Sequence, residues 1–73
     1  MNETYVHGFK VKYEDNAHNG IVYLRDHLDL KEAKVFFDQA RMKKSAQFED
    51  EYGKNYTLLY NPDRTYTLIR RSY

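Results

Sequence analysis

A chain of 73 residues has room for one small domain, 1–73. A chain of that size buries only about 60% of the surface its unfolded form exposes, so the core must be dense or shared with a partner. The absence of cysteine excludes disulfides, thiolate metal sites and a cysteine nucleophile, and 12 basic residues against 11 acidic ones exclude nucleic-acid binding by bulk charge alone. Three glycines and one proline in a chain that is 41% hydrophobic describe a folded protein, with eight tyrosines and no tryptophan as its one oddity.

Residues 5–13 alternate, placing Tyr5, His7, Phe9, Val11 and Tyr13 on one side and Lys10 and Lys12 on the other, which predicts a strand. Residues 21–28 are read as a second strand, joined to the first through Asn19-Gly20, the dipeptide best suited to a type I′ turn. A two-residue turn there sets Val11 opposite Leu28, Glu14 opposite Arg25, and Ile21 and Tyr23 on the outer face.

Asp29-Leu30-Lys31-Glu32 fits a capping box, with Asp29 as N-cap and Glu32 three positions on. Leu30, Ala33, Phe37 and Ala40 then recur at helical spacing, Phe36 lies beside them, and Val35 and Met42 form a thinner stripe away from the core. Lys44 falls on the apolar stripe, so the helix is expected to end near Lys43-Lys44. Residues 45–52 read as a strand leading into a turn, although Phe48 also fits a longer helix.

The rest is a meander. Gly53 serves the turn that sets Phe48 opposite Tyr56 and Ala46 opposite Leu58. Asn61-Pro62-Asp63-Arg64 supplies the next turn, with Arg64 where glycine is usual, and sets Tyr60 opposite Tyr66 and Leu58 opposite Leu68. The expected fold is α+β, an antiparallel sheet with one helix packed on one face, in the order ββαβββ.

Chemistry finds little material. His7, His18 and His27 lack close ligand spacing, and the Asp26-His27-Leu28-Asp29 run is read as structural, with Asp29 capping the helix and His27 on the open side of the hairpin. Ser45 and Ser72 lie outside any nucleophile pattern, no glycine-rich phosphate loop is present, and Glu49-Asp50-Glu51 reads as a solvated turn. The expectation is a protein that is not an enzyme and needs no metal or cofactor.

Binding is the remaining class. Leu59 and Ile69 are expected on the sheet face that a single helix leaves open, with Thr57, Thr67 and Arg71 around them. That surface, or a sheet edge, predicts a partner that is another protein or a second copy of the chain. The alternative is a nucleic-acid surface on the last hairpin, where Lys54, Arg64, Arg70 and Arg71 stand against Asp63 alone and Tyr73 could stack on a base. Tyr56, Tyr60 and Tyr66 share the face of Leu58 and Leu68 and are assigned to the core instead. The first residues lack the basic and apolar regions of a signal peptide, and the longest apolar run, Ile21-Val22-Tyr23-Leu24, is far too short to span a bilayer. A cytoplasmic protein without membrane contact is expected, and Asn2-Glu3-Thr4 and Asn55-Tyr56-Thr57 are chance matches to a glycosylation acceptor.

Overall fold

The structure, a computed structural model, describes residues 1–71. Strands β1 (Asn2–Val6) and β2 (Phe9–Tyr13) form an antiparallel hairpin with Val6 opposite Phe9 and Thr4 opposite Val11. The two turn residues, His7 and Gly8, have φ of 50° and 87°, as a type I′ turn demands. The first tight turn therefore lies here and not at Asn19-Gly20. It interrupts the expected alternation: Val6 joins Val11 in the core, whereas Tyr5 projects from the opposite face and is exposed.

The predicted second strand is helical. After a 3₁₀ turn (Asp15–Ala17) come α1 (His18–Val22) and a π-helical turn (Tyr23–His27). Ala17, Ile21, Leu24 and Leu28 recur at spacings of four, three and four, the period of one helical face, and the first three are fully buried. Gly20 serves packing, not turning: a Cβ there would lie 2.9 Å from Leu68 Cδ2 and from two ring atoms of Tyr56. His7 closes the segment, its Nε2 lying 3.0 Å from the carbonyl oxygens of both Leu24 and Leu28. The expected Val11–Leu28 and Glu14–Arg25 pairs do not form. Val11 instead pairs with Thr4 and Tyr66, and Arg25 holds the neighbouring Asp26.

Helix α2 (Leu30–Lys43) begins as its sequence dictates. Glu32 N donates to Asp29 Oδ1 at 2.8 Å, and Asp29 N donates to Glu32 Oε1 at 3.1 Å, completing the capping box. Lys44 ends the helix in the left-handed conformation, φ 76°. Ala33, Phe37 and Ala40 are fully buried, Val35 and Met42 face outward, and Leu30 in the first turn is exposed. Phe37 stacks on Phe9 with ring centroids 4.3 Å apart and meets Tyr66 edge-on at 4.8 Å.

Residues 45–52 form strand and turn, not helix. Strands β3 (Ser45–Glu49), β4 (Asn55–Tyr60) and β5 (Tyr66–Arg71) make the expected meander, with Phe48 opposite Tyr56, Ala46 opposite Leu58, Leu58 opposite Leu68 and Tyr60 opposite Tyr66. Asp50 is buried at the β3–β4 turn, accepting from Tyr52 N and Lys54 N at 2.9 Å and from the Tyr56 hydroxyl at 3.0 Å. Burial first, and then the hydrogen bond to Asp50, push the Tyr56 phenol up to about 12.

All five strands join one sheet in the order β1-β2-β5-β4-β3. The β2–β5 pair is parallel, with Lys12 beside Thr67, so the sheet is mixed and not purely antiparallel. The chain leaves β2, crosses through both helical segments to the far edge, and returns by the meander until β5 closes on β2. The single helix expected above one face is likewise corrected to two helical segments, because residues 15–27 add a second one.

Candidate functional site

Alternation along the strands decides which side chains the helices cover. Val6, Val11, Phe48, Tyr56, Leu58, Tyr66 and Leu68 point toward the helical layer and are buried. Their neighbours in sequence point the other way. Strand register then assembles the opposite face row by row. Lys12, Thr67, Leu59 and Ser45 lie side by side across β2, β5, β4 and β3, and Ile69, Thr57 and Gln47 form the adjoining row. Ile69 is 42% exposed, while Leu59, Thr57 and Thr67 are half-buried by their neighbours on the sheet. Four of the five residues expected on an open face are thus brought together, and Arg71 lies two residues beyond Ile69 along β5, on the same face and opposite Asn55.

The parallel β2–β5 pairing adds residues to this surface that sequence reasoning assigned to a separate hairpin. Lys12 adjoins Thr67, and Lys10 and Tyr5 lie next to it on the same face. The signal was present in the alternation of Lys10 and Lys12 with Phe9, Val11 and Tyr13; what the sequence did not disclose was which strand lay beside them. These cations are engaged. Lys10 meets Glu3 at 3.3 Å, and Lys12 meets Asp63 at 3.7 Å.

One end of the face is fixed by a polar network. Asn61 Nδ2 donates to the hydroxyls of Thr65 (3.0 Å) and Thr67 (2.8 Å), and Thr65 donates its hydroxyl (2.6 Å) and its N–H (3.1 Å) to Asp63 Oδ1. The Thr65 hydrogen bonds, with Lys12 as a smaller cause, hold the Asp63 carboxyl below its ordinary range. Arg64 completes this turn with φ 71°, the glycine-like conformation its position implied.

The proposed nucleic-acid residues are placed differently. Arg64 occupies the β4–β5 turn, and Arg70 lies six residues further on, roughly 20 Å along an extended strand. Arg70 stands opposite Tyr56 on the helix side, Arg71 on the open side, and Lys54 beyond the start of β4. Tyr73 lies outside the described residues. The structure does not gather these side chains into one surface.

The histidines are apart from one another. His7 is held by carbonyl oxygens, His18 lies against the Tyr13 ring, and His27 Nδ1 approaches Glu51 Oε2 at 3.0 Å. Among the described residues no group of three or more histidine, aspartate or glutamate side chains is arranged to hold a metal ion, and no helix is long and apolar enough to cross a membrane.

Comparison with protein-family models, curated proteins and solved structures returns no match to this chain.

Proposed function

We propose that the chain is a non-enzymatic protein-interaction module that docks another protein on the open sheet face centred on Leu59 and Ile69. The observation that carries this reading is the placement of both helical segments on one side of a five-stranded sheet, which leaves adjoining apolar side chains on its central strands uncovered. An apolar centre surrounded by threonines and paired charges has the anatomy of an energetic centre with a polar rim. The Lys10–Glu3 and Lys12–Asp63 pairs place both signs of charge on the rim, which favours a partner of mixed charge over a polyanion. The nucleic-acid alternative has less support, because its cations lie at opposite ends and on opposite sides of β5.

The test is capture from native lysate on immobilised protein, with and without nuclease, comparing wild type with Leu59→Lys and Ile69→Lys. Nuclease-resistant partners lost from both variants, with their far-ultraviolet dichroism unchanged, are the expected result. Capture that survives both substitutions removes the open face from the reading, and capture abolished by nuclease replaces it with the nucleic-acid alternative.

A further inference from the structure

We propose that two copies of this chain pair along β3, antiparallel about Gln47, and extend the five-stranded sheet across a two-fold axis. β3 is an outer strand of the sheet. Asp50 N donates to Lys54 O at 3.0 Å and Tyr60 N donates to Lys44 O at 3.2 Å, so Lys44, Ala46, Phe48 and Asp50 are the positions bonded inward to β4. Ser45, Gln47 and Glu49 therefore aim their N–H and C=O groups away from the sheet. Such a row is a template for another strand, and natural edges usually block it with lysine, proline or a bulge. Here only Glu49, at the end of the row, carries charge.

The sequence around β3 selects the occupant. The strand is preceded by exposed Lys43 and Lys44, with Arg41 near Asp38 at 3.8 Å, and it ends on exposed Glu49, two residues before Glu51, whose carboxylate His27 approaches at 3.0 Å. An antiparallel second copy sets each basic flank against the other copy's acidic flank, whereas a parallel copy would set like against like. With the two Gln47 residues facing each other at the axis, Ser45 lies opposite Glu49 of the second copy. On the helix side Ala46 lies opposite Phe48, small against large. Two partly buried rings, Tyr23 and Phe36, flank Phe48 there at centroid distances of 5.9 and 5.4 Å and would gain cover from the second copy. A self-complementary strand of this kind is what an isologous interface requires. The other outer strand, β1, offers less, because it carries Glu3 as its one charged side chain and no lysine or arginine to set against it across an axis.

This inference does not rest on the open-face reading. An axis normal to the sheet leaves both Leu59–Ile69 patches uncovered, side by side on one continuous surface. If both readings hold, the dimer is a bivalent docking platform.

Sedimentation equilibrium from about 1 to 500 μM, a range that brackets micromolar dissociation constants, tests the pairing. The expected mass rises with concentration from 8.9 kDa toward twice that value. Gln47→Lys, which places like charges at the axis on an exposed position, should raise the dissociation constant by about tenfold or more. Lys43→Glu should weaken pairing, and adding Glu51→Lys should restore it. Hydrogen exchange at the Gln47 and Glu49 amides should slow as concentration increases. Thermal melts of the variants establish that each is folded. A chain that stays monomeric throughout the range overturns the proposal. So does an association that Leu59→Lys abolishes and Gln47→Lys leaves intact, which would place the contact on the open face.

Discussion

The conformation of Asn19-Gly20 can be tested by two substitutions whose signs separate a helix from a hairpin turn. In the structure Asn19 is an exposed residue of α1, where alanine is the better helix former by about 0.5 kcal/mol. Asn19→Ala should therefore stabilise the fold, raising the melting temperature by roughly 2–4 °C in a domain of this size. In a type I′ turn the same change would put alanine at positive φ and cost about 1–2 kcal/mol. At Gly20 two effects oppose each other. Alanine favours the helix by about 1 kcal/mol, but its Cβ would enter space already filled by Leu68 and Tyr56, both essentially unexposed. Overpacking of that kind costs about 1–3 kcal/mol, and neither a buried ring nor a buried leucine can move aside freely. Gly20→Ala should lose about 1 kcal/mol in net, a fall of roughly 4–8 °C. Thermal and urea denaturation followed by circular dichroism measure both changes. A fall of several degrees for Asn19→Ala would refute the helical assignment and restore the long hairpin.

Phe37→Ala removes the ring that joins α2 to Phe9 and Tyr66, so it should cost about 3–5 kcal/mol; a mutant melting within a few degrees of wild type would show that this face is not the core. Tyr56 supplies a pH test: because its folded pKa of about 12 lies above the ordinary value of 10.0, its contribution is complete below pH 10 and is lost as pH rises through 12. Denaturation between pH 9 and 12 should show a loss of about 2 kcal/mol that Tyr56→Phe lacks, with phenolate absorbance reporting a late-titrating tyrosine absent from the variant; Tyr66, also raised by burial, titrates late in both proteins. Arg64→Gly should stabilise the fold by about 0.5–1 kcal/mol, since it relieves a left-handed residue at φ 71° at the cost of added freedom in the unfolded chain; a lower melting temperature would contradict it.

The half of the chain after Asp29 was legible because its signals are local and agree with one another. The capping box marks the start of α2, the lysines mark its end, and the two turns fix register to the residue. The first 28 residues depart from expectation because the tight turn lies at His7-Gly8, inside the segment expected to be one strand, and not at Asn19-Gly20. Asn19-Gly20 has the stronger turn chemistry in isolation, yet His7 and Gly8 make the turn, and Gly20 is needed for close approach to β4 and β5. Burial decided the contest. In the helical form Ala17, Ile21 and Leu24 all reach the core, whereas a strand would direct successive residues to opposite faces. The spacing of Ala17, Ile21, Leu24 and Leu28 is the helical signal in this segment, and the turn chemistry of Asn19-Gly20 masks it. The parallel contact of β2 with β5 had no local signal, since 52 residues lie between Tyr13 at the end of β2 and Tyr66 at the start of β5, and only tertiary packing joins the two strands.

The extra helical segment also changes what the open face means. A hairpin at residues 9–28 would have widened the sheet and left one helix to cover it. The actual chain uses those residues as a second covering layer, on the same side as α2, and so completes the core on that side alone. Tyr56 and Leu68, pressed by Gly20, and Phe37, stacked on Phe9, show that this layer is closely packed. Nothing in that arrangement requires Leu59 or Ile69, which lie on the far side of the same strands. Their polar neighbours could occupy those positions in a lone sheet at little cost, because exposed strand positions accept threonine readily. The proposed docking surface rests on these apolar side chains at the middle of an otherwise threonine-rich and charged face. The separation has a measurable consequence: Leu59→Thr should leave melting within about 0.5 kcal/mol of wild type, as surface changes do, while weakening capture on the open face. A large loss of stability would place Leu59 in the structural core and remove the basis for the docking surface.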